Sequence, residues 1–204
     1  AKEQIEKDIK IKYGFNKTGV LYNPYDVELI QKEAVKDRPV LPWQDKDETG
    51  REIKVLVSMG RDDEVKGFWH LIKSFSLVQE VHPESRLLIL GDGTFDKDKG
   101  LAEKLGIADK ICFAGMQREP YKYLNEGQIY VLTSSREGFP NALVEGMALG
   151  LAPVSTNCMT GPAEILMKSG DCQQVKEQMS KEKTDVIYGE SGILIPVMTE
   201  KRQE

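Results

Sequence analysis

Beginning at Ile53, short apolar runs alternate with segments whose apolar residues recur at helical spacing, and the alternation continues to Ile195. A strand with no polar face must be covered on both sides, and strands that each lead into a covering helix build a parallel sheet. The first unit is the clearest. Ile53 to Met59 is a continuous strand, and Phe68, Leu71, Ile72, Phe75 and Val78 then mark one face of a helix that ends before Pro83. Arg86 to Leu90 reads as the second strand, Asp98 to Leu105 as a helix stopped by Gly106, Ile111 to Phe113 as the third strand and Tyr121 to Asn125 as a short helix. Ile129 to Leu132, a helix over Ala142 to Leu149 stopped by Gly150, Ala152 to Ser155 and a helix opened by Pro162 complete two further units, with Ile193 to Ile195 as a last short strand. Right-handed crossovers make this an α/β fold, a Rossmann-like doubly wound parallel sheet flanked by helices.

Residues 1–51 have a different character. Ala1 to Lys12 is a charged amphipathic segment, Leu21 to Asp26 a turn, Val27 to Val35 a short helix, and Lys36 to Arg51 a polar surface connection with Trp43 as its anchor. The expected division is a linker and interdomain remnant over 1–51 and one sheet domain over 52–204. The chain starts without an initiator Met, which fits a piece of a longer protein. Within the sheet domain, 171–185 is polar and lacks an apolar stripe, so it reads as an exposed helix or a mobile insertion.

Charge and cysteine usage remove several function classes. The 204 residues carry 28 basic and 33 acidic side chains, a net charge of −5. No run of one sign dominates, which argues against wholesale nucleic-acid binding. Cys112, Cys158 and Cys172 are not spaced as metal ligands, and no signal peptide or long apolar span is visible, so the expected compartment is the cytoplasm. His70 and His82 have no Cys, Asp or Ser placed to complete a local motif. Both read as surface or edge residues, and neither a zinc site nor a His-centred triad follows.

Ligands of such a sheet sit beyond the carboxyl ends of the strands. After the first strand come Gly60, Arg61 and, six residues past Gly60, Lys66. A guanidinium fork and an ammonium suit a diphosphate leaving group, although both cations could equally neutralise Asp62, Asp63 and Glu64. After the second strand, Gly91-Asp92-Gly93 permits a tight turn, but neither the third glycine of a dinucleotide fingerprint nor a Gly-Lys-Ser/Thr phosphate loop occurs. After the third strand, Gly115-Met116 could present backbone groups to a base or be an ordinary turn. After Leu132 comes Glu137-Gly138-Phe139-Pro140-Asn141-Ala142-Leu143-Val144-Glu145, which runs into a helix apolar on every side except at Glu145. A carboxylate on a buried helix needs a partner, so Glu145 is either held structurally, by an ion pair or by backbone N–H groups, or an acceptor for ligand hydroxyls. The N–H groups of Asn141, Ala142 and Leu143, at the helix start, could face a phosphate.

Those four loops, in this order and spacing, resemble the carboxyl-terminal domain of the retaining glycosyltransferases of family four, which have the two-domain GT-B fold; the likeness spans about residues 52 to 196. Tyr22-Asn23-Pro24-Tyr25-Asp26 is similar to the family's linker out of its amino-terminal domain. The resemblance implies that Arg61 and Lys66 hold the donor diphosphate, with Gly60 and Gly91 in the turns beside it, that Glu145 takes the ribose hydroxyls, and that Glu137 takes the sugar hydroxyls. Gly138, Phe139, Asn141, Ala142 and Leu143 would line sugar and phosphate through backbone groups, and Met116 would lie against the base. It implies transfer of a hexose or N-acetylhexosamine, with UDP as the preferred nucleotide, to a glycan or lipid-linked acceptor, with retention and with no metal or other cofactor. The acceptor side belongs to the family's amino-terminal domain, so this chain alone is expected to bind donor without appreciable turnover, and a lipid-linked acceptor would bring the whole enzyme to a membrane surface. Two alternatives share the fold: a non-catalytic nucleotide-binding scaffold and a sugar-nucleotide epimerase.

Overall fold

The computed structural model describes residues 21–158, 161–167, 175 and 186–198. Its strands are β1 (Lys54–Met59), β2 (Ser85–Leu90), β3 (Ile111–Gly115), β4 (Ile129–Leu132), β5 (Ala152–Thr156), β6 (Ile187–Tyr188) and β7 (Ile193–Ile195). Its helices are α1 (Val27–Ala34), α2 (Phe68–Val81), α3 (Asp96–Lys104), α4 (Pro120–Leu124), α5 (Asn141–Ala148) and α6 (Pro162–Leu166). The strands form one sheet in the order β3-β2-β1-β4-β5-β7-β6, parallel except where β6 runs against β7. This is the doubly wound, Rossmann-like arrangement that the sequence pattern predicts. Strand order reverses between β1 and β4, so the loops leaving these two strands diverge and leave a crevice between them.

Every residue of β2 is buried, which explains the unbroken apolar run from Leu87 to Leu90. Alternate side chains serve two cores: Leu87 and Ile89 join Phe68, Leu71, Ile72 and Phe75 of α2, whereas Leu88 and Leu90 join Leu124 of α4, Leu143 of α5 and Leu166 of α6. Each such side chain contributes about 1.5–3 kcal/mol by leaving water. The described part of the segment before the sheet is packed on this body. Helix α1, capped by Asp26 Oδ1 accepting from the Leu29 N–H, lies against α4 and α5, and Trp43 packs half-buried against the second core.

The loops leaving β1, β2 and β3 are bonded to one another. Gly60 N–H donates to Leu90 O at 2.9 Å, Asp62 N–H to Asp92 O at 2.8 Å, and Gly91 N–H to Gly115 O at 3.0 Å. Asp62 Oδ2 accepts from the N–H of Phe95, whose buried ring sits on a backbone with φ of 55° at the start of α3. Gly91 has φ of 147°, and a Cβ there would overlap the Gly60 carbonyl oxygen, a backbone atom that no rotamer change can move. Gly91→Ala is therefore expected to destabilise the chain by about 3 kcal/mol or more. A urea midpoint unchanged from wild type would refute this.

Three readings of the sequence change. The two-residue β6 was not predicted; it is too short to carry a pattern and exists because Tyr188 pairs with Ile193. His70 is buried and stacks on Trp69 with ring centroids 3.5 Å apart, rather than lying at the surface; only His82 is exposed, beside Glu84. Helix α5 is buried only at Leu143 and Gly146, so its apolar residues serve two partial contacts, with β4 and β5 and with α1, in place of full enclosure. The amphipathic segment over 1–12 lies outside the described residues, as does 171–185 apart from Val175, which is buried in the second core.

Candidate functional site

At the carboxyl end of β1 the chain turns through Gly60 and Arg61 into a short 3-10 turn, Glu64–Lys66, capped by Asp63 Oδ1 accepting from the Val65 N–H. Gly67 closes the turn with φ of 64°, and a Cβ there would stand 2.6 Å from Thr133 O, so only glycine lets this loop seat against the end of β4. Ser135 N–H donates to Val65 O at 2.8 Å and Thr133 Oγ1 to Lys66 O at 2.9 Å, fixing the seat.

That seat places Lys66 Nζ 2.7 Å from Glu137 Oε1, with side chains only 24% and 11% exposed. Ser134 Oγ donates to the same oxygen at 2.6 Å, and Thr156 Oγ1 donates to Ser134 O. Asp62 and Asp63 are occupied by backbone N–H groups, and among the described residues neither they nor Glu64 forms an ion pair with Lys66 or Arg61. The loop cations do not simply neutralise the loop's own acids.

On α5, Glu145 is half-buried, and its hydrogen bond is a long one from Tyr121 Oη at 3.5 Å. Burial raises its pKa above the ordinary value, an effect that the Tyr121 hydroxyl opposes. No cation pairs with it among the described residues, so the structural ion pair considered for it is not found there. At the helix start, Leu143 N–H donates to Pro140 O at 3.1 Å, which leaves the amides of Asn141 and Ala142, rather than all three, for a ligand.

Arg61, Lys66, Glu137 and Glu145 line one cleft of about 360 Å³ together with Met59, Gly60, Leu132, Phe139, Pro140, Asn141 and Ala142. Gly138 is exposed on its loop, Leu143 is turned into the core, Gly91 packs under Gly60, and Met116 is 77% exposed on the turn after β3; these four do not line the cleft. Sequence reasoning missed Ser134, although its place directly beyond β4 could have drawn attention to it. Two larger hollows, about 480 and 630 Å³, lie around Trp43 and Arg38 at the amino ends of β1 and β4. They are the wrong end of a parallel sheet for ligand chemistry, and the Arg38 guanidinium is already held by Asp45 and Glu126. Among the described residues no group of three or more His, Cys, Asp or Glu side chains could hold a metal ion, and no helix is long and apolar enough to cross a membrane.

The cleft's fold has known counterparts. The lipopolysaccharide outer core galactosyltransferase WaaB in its apo form superimposes with a TM-score of 0.56 at 23% identity, over 82% of this chain and 47% of that one. A TarM variant from S. aureus gives 0.62 at 18% identity, over 81% and 31%. In sequence, an uncharacterized glycosyltransferase of Methanocaldococcus jannaschii is 36% identical over 181 residues, 88% of this chain and 42% of the relative. A Campylobacter jejuni N-acetylgalactosamine-N,N'-diacetylbacillosaminyl-diphospho-undecaprenol 4-alpha-N-acetylgalactosaminyltransferase is 31% identical over 150 residues, 73% of this chain and 37% of the relative. The chain thus spans less than half the length of either relative. The sequence profile of the family described as Glycosyl transferases group 1 matches residues 42–183, which takes in all four strand-end loops. With that profile matched over more than half of its residues, the chain belongs to the group 1 glycosyl transferases.

Proposed function

We propose that this chain is the donor-binding part of a retaining glycosyltransferase, taking a nucleoside diphosphate sugar, with UDP the preferred nucleotide, and passing its hexose or N-acetylhexosamine to a glycan or lipid-linked acceptor. The observation that carries this reading is the convergence of two cations, two carboxylates and a helix start on one cleft at the strand switch point. Arg61 and Lys66 oppose the charge that develops on the departing diphosphate, and the Asn141 and Ala142 amides at the positive end of α5 add to that field. Glu145 accepts from the ribose hydroxyls and Glu137 from hydroxyls of the transferred sugar. The bond from the anomeric carbon to the phosphate oxygen breaks, the bond to the acceptor oxygen forms on the same face, and the acceptor proton passes to the departing phosphate. None of these steps calls on a metal. The name of the Campylobacter jejuni relative, an N-acetylgalactosaminyltransferase with a diphospho-undecaprenol acceptor, supports the choice of sugar and acceptor class.

Calorimetric titration with UDP, GDP and ADP tests the reading. One nucleotide is expected to bind saturably, and Arg61→Ala to weaken it about 10-fold or more, since a charge-assisted bond to phosphate is worth about 1.5–3 kcal/mol. A wild-type chain that binds none of the three, or a variant that binds as tightly as wild type, would overturn it.

A further inference from the structure

The segment just before α1 touches the Phe139 to Asn141 turn at several points. Asn141 Oδ1 accepts two hydrogen bonds, from Tyr25 Oη at 2.6 Å and from Asn23 Nδ2 at 2.9 Å. The Tyr22 and Tyr25 rings lie 5.5 and 6.5 Å from the Phe139 ring. At the far end of the same helix, Gln31 Nε2 donates to Ala148 O at 2.9 Å, so the segment and α1 together grip α5 at both ends. Behind the turn, a Cβ on Gly161 would meet Gly138 O at 2.8 Å, so the turn is closed in from that side as well.

These contacts are poorly suited to adding stability. Tyr22 is 54% exposed and Asn23 is exposed, so little apolar area leaves water, and hydrogen bonds at a wet rim add little net energy. What they do well is fix a direction: two donors converging on one oxygen leave Asn141 a single side-chain orientation, and two neighbouring rings limit Phe139. The Asn141 and Ala142 amides ride on this turn. Resting on the donor-site reading above, we propose that Tyr22 to Asp26 is a positioning strap, in which Tyr25 and Asn23 act through Asn141, and Tyr22 through Phe139, to hold the donor-facing amides in place before the nucleotide arrives. Tyr25 does not line the cleft and is a positioning residue, not a catalytic one.

Amide hydrogen exchange and UDP titration on the 204-residue chain, with Tyr25→Phe, Asn141→Ala and the double variant, test this. Tyr25→Phe keeps the ring and removes one hydroxyl. It is expected to speed exchange at Leu143 and Val144, whose N–H groups donate to Pro140 O in the turn, about 10-fold without ligand, leave exchange in α2 unchanged, and weaken UDP about 3- to 10-fold. The double variant is expected to bind UDP no more weakly than Asn141→Ala alone, as two changes acting through one contact must. Gln31→Ala, which loosens the other end of the grip, is the control: it is expected to leave UDP affinity and exchange at the turn unchanged. Unchanged exchange at the turn in Tyr25→Phe, in a chain that binds UDP normally, overturns the strap alone. Additive losses in the double variant overturn the route through Asn141. A wild-type chain that binds none of UDP, GDP and ADP while the turn still loosens in Tyr25→Phe overturns the donor-site reading and, with it, the strap's role in binding.

Discussion

Lys66→Ala is expected to lower sugar transfer by the whole enzyme by about 10²–10³-fold, the loss typical when one preorganised group facing transition-state charge is removed. The reason lies in its seat. The lysine is held by Glu137 at 2.7 Å, in a place where it is only 24% exposed, so its charge is aimed before the substrate arrives and is poorly screened by water. The same variant leaves Glu137 largely buried with Ser134 still donating to it, so stability is expected to fall by about 1–3 kcal/mol. Steady-state kinetics and urea unfolding separate the two effects. If transfer stays within about threefold of wild type, Lys66 is only the counter-ion of Glu137 and the leaving group is stabilised elsewhere.

Glu145→Gln is expected to trade function for stability. Losing the ionised acceptor should weaken nucleotide binding by about 10- to 100-fold, the equivalent of one charged hydrogen bond to the ribose. Stability should move the other way. Burial raises the Glu145 pKa above the ordinary 4.5, so the folded chain holds this proton more tightly than the unfolded chain does. Below 4.5 the group is protonated in both states and contributes nothing. As pH rises through the raised folded value, ionising Glu145 costs the folded state, and that cost is fully present above the folded value. Melting curves of wild type and Glu145→Gln should therefore coincide in acid and separate toward neutral pH, with the variant the more stable. A variant less stable than wild type at neutral pH would mean that the carboxylate serves the fold.

The strand-end loops were legible in the sequence because each follows an apolar run whose end is easy to place, and a parallel sheet puts all those ends on one side. Arg61, Lys66, Glu137 and Glu145 could be nominated on that ground. Their pairing could not. Lys66 meets Glu137 across 71 positions of sequence, and nearer acids at 62, 63 and 64 offer an equally good reading of the loop, although backbone N–H groups occupy two of them in the fold. Tyr25 and Asn23 were visible as a turn, but their contact with Asn141 depends on how α1 lies across α5, which no local pattern encodes. His70 was misjudged for a related reason: the polar ring is buried by stacking on its neighbour Trp69, an arrangement that apolar periodicity does not register.

The bonded loops after β1, β2 and β3 also bear on how this cleft can be redesigned. Gly60 hangs from Leu90, Gly91 from Gly115, and Asp62 holds both Asp92 and Phe95. A loop transplanted singly from a relative with other sugar preferences would arrive without the glycine or carbonyl that its neighbour needs. Chimeras of this domain should therefore exchange 60–67, 91–95 and 115–117 as one cassette, and libraries that randomise a single loop will be depleted by misfolding before they are sampled for specificity.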